Sequence, residues 1–376
     1  MIKVADLNIS TDNCGPYVIT LTGVDATYFK VINKELYFLL EKPYICKTSY
    51  TVTVSITDLA NRFTPKTAVY NLSTPYCSCT TSTSTTASPA MVNFANFNNA
   101  ATWGGLTGNV TSSGTNGGPS AYGTYDQTGN VSEWHNDANV GSSSFRGYRG
   151  GSYNSNASSM DSAFRNNAFA AADGSSVGFR IASFLNPSVL SNFVAIGNRF
   201  NDVDLRTGNL FGNVNYDYLI GKYLVNNYDY NLFLNATAKS DPYGTYNVNM
   251  KITRSGNSGS YAYLVQDNYA NKPVVFVSWF DCARYCNWLH NGAGSVGTTE
   301  TGAYLLNGVT TGNAPAQSSG ARYHIPSENE WYKAAYYSPN YGGAGVGGYW
   351  RYATQSNILP TPVCATPIGD ATVCST

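Results

Sequence analysis

Few side chains in this 376-residue chain can do chemistry, and their spacing limits what they can do. Three histidines, His135, His290 and His324, stand far apart. They lack the H-x-x-x-H or H-x-x-E spacing that sets two metal ligands on one helical face. A non-haem iron site, which needs about three histidine or carboxylate ligands, has no basis here. Of eight cysteines, Cys282 and Cys286 are four apart among apolar neighbours and are expected as buried thiols on a helix. Cys14 and Cys46 are a candidate pair in the first part of the chain. Cys77, Cys79, Cys364 and Cys374 are read as free or locally paired thiols. Glu330 has the chemistry of a general acid or base. Ser327 stands three residues before it, after Pro326, which makes S-x-x-E a capping box, so Glu330 is expected to close a helix N-terminus.

The elements that position these residues follow from periodicity. Residues 1–76 alternate apolar and polar side chains in short runs, YVITLTG, YFKVI, ELYFLL, SYTVTVSITD and AVYNL, with turn residues between them. That pattern predicts a small antiparallel β-sandwich. Residues 77–90, CSCTTSTSTTASPA, read as an exposed Ser/Thr-rich linker. The remainder, 91–376, is a larger α+β lobe. A helix is predicted near 280–290, amphipathic through Phe280, Ala283, Tyr285, Cys286 and Leu289, and another begins near Ser327. Trp134, Trp279, Trp288 and Trp331 are expected as packing residues, not sugar platforms.

Composition narrows the setting. Lysine and arginine number 22 against 22 aspartates and glutamates, which leaves no electrostatic footprint for nucleic acid or an anionic membrane. No run of about 18 apolar residues is present, so no membrane insertion is expected. The opening MIKVADLNISTDNCG lacks the apolar core of a secretory signal. Thirty tyrosines and 36 glycines with only 12% charged residues suit a protein of the virion surface or the extracellular space.

Two motif blocks carry a family resemblance. Residues 122–182 contain YGTYDQTGNVSEW, RGYRGGSYN, SAFRN and VGFRIA; residues 273–337 contain PVVFVSWFDCARYCNWLHNG and ARYHIPSENEWYKAAYY. IGKY-x-V-x-N-x-x-Y-x-x-FLN in 193–236 adds a third block. Together they resemble the formylglycine-generating enzyme (sulfatase-modifying factor) family, which has a C-type-lectin-like fold. In that family the SW-D-A block comes first and GN-x-x-EW, RGGS and GFR come last. The reversed order here implies circular permutation, with 91–184 as the family's C-terminal half and 193–376 as its N-terminal half. FLNPSVLSN joins the halves and reaches roughly 30 Å if extended. Permutation would bring Cys77 and Cys79 near Cys364 and Cys374, where a bridge would staple the cut loop. Either the halves close on each other, or they complement neighbouring chains and build open filaments. Separately, LTGVDATYFKVINKELYF followed by SYTVTVSITD resembles a cadherin-like repeat, although EKPYICK replaces its usual acidic calcium motif.

The resemblance also bears on chemistry. The family enzyme oxidises a substrate cysteine with two cysteines just after RGGS; Ser155 and Met160 occupy those positions here. Neither forms a thiolate or exchanges a disulfide. The family's structural calcium (Ca2+) turn maps onto Asp126, the carbonyls of Gly129 and Val131, and Glu133. The alternative is a metal-free turn with Glu133 paired to Arg165 or Arg180. A second calcium site would begin at Asn96 and Phe97 but lacks its distal acid. The family's open face maps onto Tyr153, Asn154, Ser155, Asn156, Ser158, Ser159, Phe164, Asn166, Asn167 and Phe169, a mixture of amides, hydroxyls and rings suited to adaptable recognition. The expectation is a non-enzymatic phage fibre, spike or surface decoration that binds a host-surface glycan or protein and forms homo-oligomers with other virion or filament subunits. An extracellular filament or surface-layer subunit, and a divergent oxidoreductase, are the alternatives.

Overall fold

Alternating side chains become six strands among the described residues of the first of two compact units, Met1–Thr83: β1 (Ile2–Asp6), β2 (Tyr17–Thr22), β3 (Phe29–Ile32), β4 (Glu35–Phe38), β5 (Ser49–Asp58) and β6 (Lys66–Ser73). The computed structural model describes residues 2–7, 17–26, 29–32, 34–38, 49–58, 64–73, 91–139, 142–184, 192–208, 211–294 and 297–374. Two antiparallel sheets form, β1-β4-β3 and β2-β5-β6. Phe29 and Leu36 from one sheet meet Val52 and Val54 from the other in a common core. Each sheet thus buries one face, which is what period-two alternation requires. β1 is an addition to the five runs expected. The 77–90 linker, EKPYICK and the cysteines at 14, 46, 77 and 79 lie outside the described residues.

The second unit, Ser84–Thr376, is mostly β with few helices. Its first segment contributes β7 (Phe94–Ala95), β8 (Ser132–Asn139), β9 (Ser142–Arg149), β10 (Asn166–Phe169), β11 (Val177–Gly178) and β12 (Ala182–Ser183). The second contributes β13 (Phe193–Ile196), β14 (Tyr218–Gly221), α1 (Asn227–Thr237), β15 (Ile252–Ser255), β16 (Ala262–Val265) and α2 (Trp279–His290). After these come β17 (Tyr323–His324), α3 (Glu328–Tyr336), β18 (Tyr337–Ser338), β19 (Gly348–Tyr349), β20 (Thr361–Pro362), β21 (Cys364–Ala365) and β22 (Ala371–Thr372).

The segments on either side of residues 185–191 close on each other within one chain. β12 sits between β14 and β17 in the sheet β13-β14-β12-β17, and β7 pairs in parallel with β20. Trp134, Phe179 and Ile181 share one core with Tyr230, Phe233, Trp279, Tyr285 and Trp288. The indole of Trp134 donates to Val277 O at 3.1 Å. Trp331, like Trp134, Trp279 and Trp288, is buried in the packing.

Two helices are started by reciprocal caps. Ser327 and Glu330 exchange hydrogen bonds at the start of α3, and Ser278 and Asp281 do the same for α2. α2 departs from the amphipathic pattern expected of it, because its polar side chains are buried too. Arg284 pairs with Glu300 at 2.8 Å, and the Asn287 amide donates to Thr299 O and Tyr304 O. Satisfied polar groups let a helix be buried all round. Cys282 and Cys286 on this helix are free, fully buried thiols.

Candidate functional site

The β8–β9 hairpin is the platform from which the 152–169 face is hung. Arg149 ends β9, and its guanidinium is almost fully buried. Its Nε donates to Glu328 Oε1 at 2.6 Å, while Nη1 donates to Ser162 O and Phe164 O, each at 2.9 Å. Arg165 Nε reaches the same carboxylate at 2.8 and 2.9 Å. One acid at the start of α3 therefore ties down two arginines and the backbone beneath the face. Burial opposes ionisation of Glu328, and the Arg149 and Arg165 guanidiniums beside it pull the other way. His135, 3.7 Å away, is pushed down to about 3 by burial and is neutral, so it adds no charge.

Between Arg149 and the face the chain needs glycine. Gly151 has φ +68, and a Cβ there would lie 2.0 Å from Met160 Cε. The loop then satisfies its own polar groups. Ser155 Oγ bonds Ser152 N and Oγ, Ser155 O accepts from Asn98 N, and Tyr153 N donates to Asn130 O. Asn156 Oδ1 accepts from Ser158 Oγ, Ser159 N and Ser159 Oγ and caps the 3-10 turn Ala157–Met160. Asp161 pairs with Arg351, which lies on a distant loop.

This geometry sorts the ten face residues. Asn154, Asn156, Ser158, Asn166 and Phe169 are exposed. Tyr153, Ser155, Ser159, Phe164 and Asn167 are half-buried, and Tyr153 packs against the cluster around Trp103. Phe169, on the edge strand β10, lies 4.1 Å from Phe145 of β9, ring centre to ring centre. Phe145 was absent from the sequence expectation; its place opposite Phe169 in the strand register is what reveals it. Ser155 points back to Ser152, and Met160 is wholly buried beside Ala95, Phe97 and Tyr352. Neither position offers a reactive group to solvent.

The turn at 126–133 is built differently. Both oxygens of Glu133 accept from Arg180, at 2.5 and 2.6 Å, and Oε2 also accepts from the Trp331 indole at 2.9 Å. Arg180 spends its remaining N–H groups on Gly221 O and Tyr125 O. Asp126 accepts from Gly114 N at 2.6 Å and from the Asn116 amide at 2.7 Å. Burial pushes Asp126 up to about 6, against the pull of those two donors. Gly129 O accepts from Val131 N. A calcium site needs acceptor lone pairs converging on empty space, whereas here N–H groups already face both carboxylates. The donor set does not fit a cation; Arg180, not Arg165, neutralises Glu133.

Cys364 and Cys374 are bonded to each other across the β21–β22 hairpin, so neither is available to Cys77 or Cys79. Burial drives the thiols of Cys282 and Cys286 well above their ordinary value, which leaves them without thiolate. The three histidines stay on separate elements, β8, the end of α2 and β17. Among the described residues no three His, Cys, Asp or Glu side chains gather where they would hold a metal ion, and no helix is long and apolar enough to cross a membrane.

Comparison with known proteins places the lobe. The family model for the sulfatase-modifying factor enzyme 1-like domain matches residues 73–184 and 212–361, together more than half of the chain. No curated protein and no solved structure was found to match.

Proposed function

Because the chain belongs to the sulfatase-modifying factor enzyme 1-like domain family, we propose that it is a circularly permuted, non-enzymatic member of it. In this reading the lobe displays a binding face from a phage fibre, spike or surface decoration, behind a cadherin-like spacer. The observation that carries the reading is the fate of the positions to which the resemblance assigns the family's two cysteines. Ser155 is engaged within its own loop and Met160 is core, while around them Asn154, Asn156, Ser158, Asn166 and Phe169 are turned to solvent. Rigid support with exposed amides and a ring is an arrangement for recognition, not for cysteine oxidation.

Permutation is supported by the motif order and by the single-chain closure of the two segments through β12 and through β7 with β20. The near absence of unpaired charge on the face favours a neutral partner, such as a host glycan, over an acidic or basic one. The virion assignment draws on composition: few charges, many tyrosines and glycines.

Two assays test the proposal. The purified full chain, applied to a panel of immobilised neutral glycans and to intact bacterial cells, should bind saturably. Incubated with copper, oxygen and a cysteine-containing peptide, it should form no aldehyde. Aldehyde formation, or no binding to any surface, would refute the reading.

A further inference from the structure

The last described segment is seated on the lobe by contacts the proposed face does not use. β21 and β22 form a hairpin with two paired positions, Cys364 with Thr372 and Ala365 with Ala371, closed by the Cys364–Cys374 disulfide. Its tip lies against a buried lysine. Lys272, 3% exposed, donates from Nζ to Ile368 O at 2.7 Å and to Ser112 Oγ at 2.8 Å. Its Nζ stands 3.9 Å from Asp370 Oδ1 and 4.9 Å from the centre of the Trp103 ring.

Further bonds run from the tip to the start of the lobe. Ser112 N donates to Gly369 O at 3.0 Å, the Ser112 hydroxyl donates to Asp370, and Ala371 N donates to Thr115 Oγ1 at 3.0 Å. Gly369, at φ +82, lets the backbone lie against Trp103; a Cβ would sit 2.4 Å from that ring. Just before the hairpin, Thr361 N donates to Asn93 O and Val363 N to Ala95 O, and Val363 is buried with Met91 and Ala101. The hairpin therefore packs through Ala365 and Ala371 beside the β7–β20 pair, and it brings both a carbonyl and a carboxylate to a buried ammonium.

Two paired positions do not hold a hairpin by themselves in water. The disulfide removes most of the freedom the opened segment would gain. Opening also strips Lys272 of Ile368 O and Asp370, which is costly for a buried charge. We propose that the β21–β22 hairpin is a redox-released clasp: oxidised, with its tip on Lys272, it holds β7 against β20; reduced, it frees both. The step is a two-electron exchange with a dithiol. The Cys364–Cys374 bond breaks, each sulfur ends as a thiol, and the reductant's two thiols become a disulfide. Disulfides persist in oxidising surroundings, so the clasp shuts only there.

Hydrogen exchange read by mass spectrometry tests this on the full chain, before and after dithiothreitol. Protection should fall roughly 100-fold in residues 361–374 and also in 91–115, while β8, β9, α2 and α3 keep theirs. Cys374→Ser should reproduce the pattern without reductant, which separates this bond from any bridge among the other cysteines. Unchanged protection at 91–115 in both preparations would overturn the clasp. So would loss of protection across the whole lobe, since the disulfide would then be a global brace.

Discussion

The turn from Asp126 to Glu133 and the face from Tyr153 to Phe169 use the same residue classes on one lobe, to opposite ends. In the turn every carboxylate oxygen meets a donor: Arg180 and Trp331 for Glu133, Gly114 and Asn116 for Asp126. In the face Asn154 Oδ1 and Asn166 Oδ1 accept a local bond, from Ser152 Oγ and Asn167 N, while both side chains and the Phe169 ring remain exposed. Residue type suggested a ligand at both places; the partner atoms separate them. A polar side chain is free to recognise something else only where its neighbours do not already consume it.

The sharpest way to break this contrast is at the turn. Arg180→Ala leaves a fully buried Glu133 without its counter-charge and should cost about 3–5 kcal/mol. The lobe's thermal transition should then fall by roughly 10 °C, with the Met1–Thr83 unit unaffected. A shift under about 2 °C would mean that the pair does not hold the turn.

Next comes pH. Burial pushes Lys272 and Lys333 down to about 8, against about 10.4 in an unfolded chain. Between these values the unfolded state binds more protons at the two lysines, which favours folding as pH rises from 8 to 9.5, while the buried thiols of Cys282 and Cys286 stay protonated where the unfolded chain ionises them and oppose that gain. Above that range, ionisation of the unfolded chain's tyrosines opposes the gain. Denaturant melts across this window check the sign. The stability of the native chain relative to Lys272→Met should rise across this window, since only the native chain carries that lysine's contribution; a difference that stays flat or falls would contradict it.

Smaller effects distinguish residues within the face. Asn156 caps its turn, and Asn156→Ala should destabilise by about 1 kcal/mol. Asn166→Ala should stay within about 0.5 kcal/mol, because Asn166 accepts from the adjacent Asn167 N alone where Asn156 holds three donors of its turn. Equal losses in chemical denaturation would erase the distinction between supporting and displayed amides. The smallest expected effect is none: a calcium chelator should leave the lobe's melting temperature unchanged. A calcium-dependent rise of several degrees would show that the Asp126–Glu133 turn does take the ion.

What the sequence disclosed was local. The sandwich strands follow from alternation, α3 from Ser327 and Glu330, and the burial of Trp134, Trp279, Trp288 and Trp331 from what the family resemblance implies of those positions. What stayed hidden were partners distant in the chain. Arg149 and Glu328 are 179 residues apart, and Gln127 donates to Trp331 O across 204. No periodicity reports such a pair. α2 was misread for the same reason, since Glu300 and Tyr304, which satisfy its buried arginine and asparagine, lie beyond the helix. Phe145 escaped notice because only the β9–β10 register sets it opposite Phe169.

The central claim is that the 152–169 face, and not the buried turn, engages a partner. Its most direct test is a binding titration of the native chain and of Asn166→Ala/Phe169→Ala against the glycan or cell surface that binds best. The account predicts at least roughly tenfold weaker binding by the variant, a loss of about 1.4 kcal/mol, with melting temperatures that coincide. Equal affinities at equal stability would contradict it and move the binding surface elsewhere on the molecule.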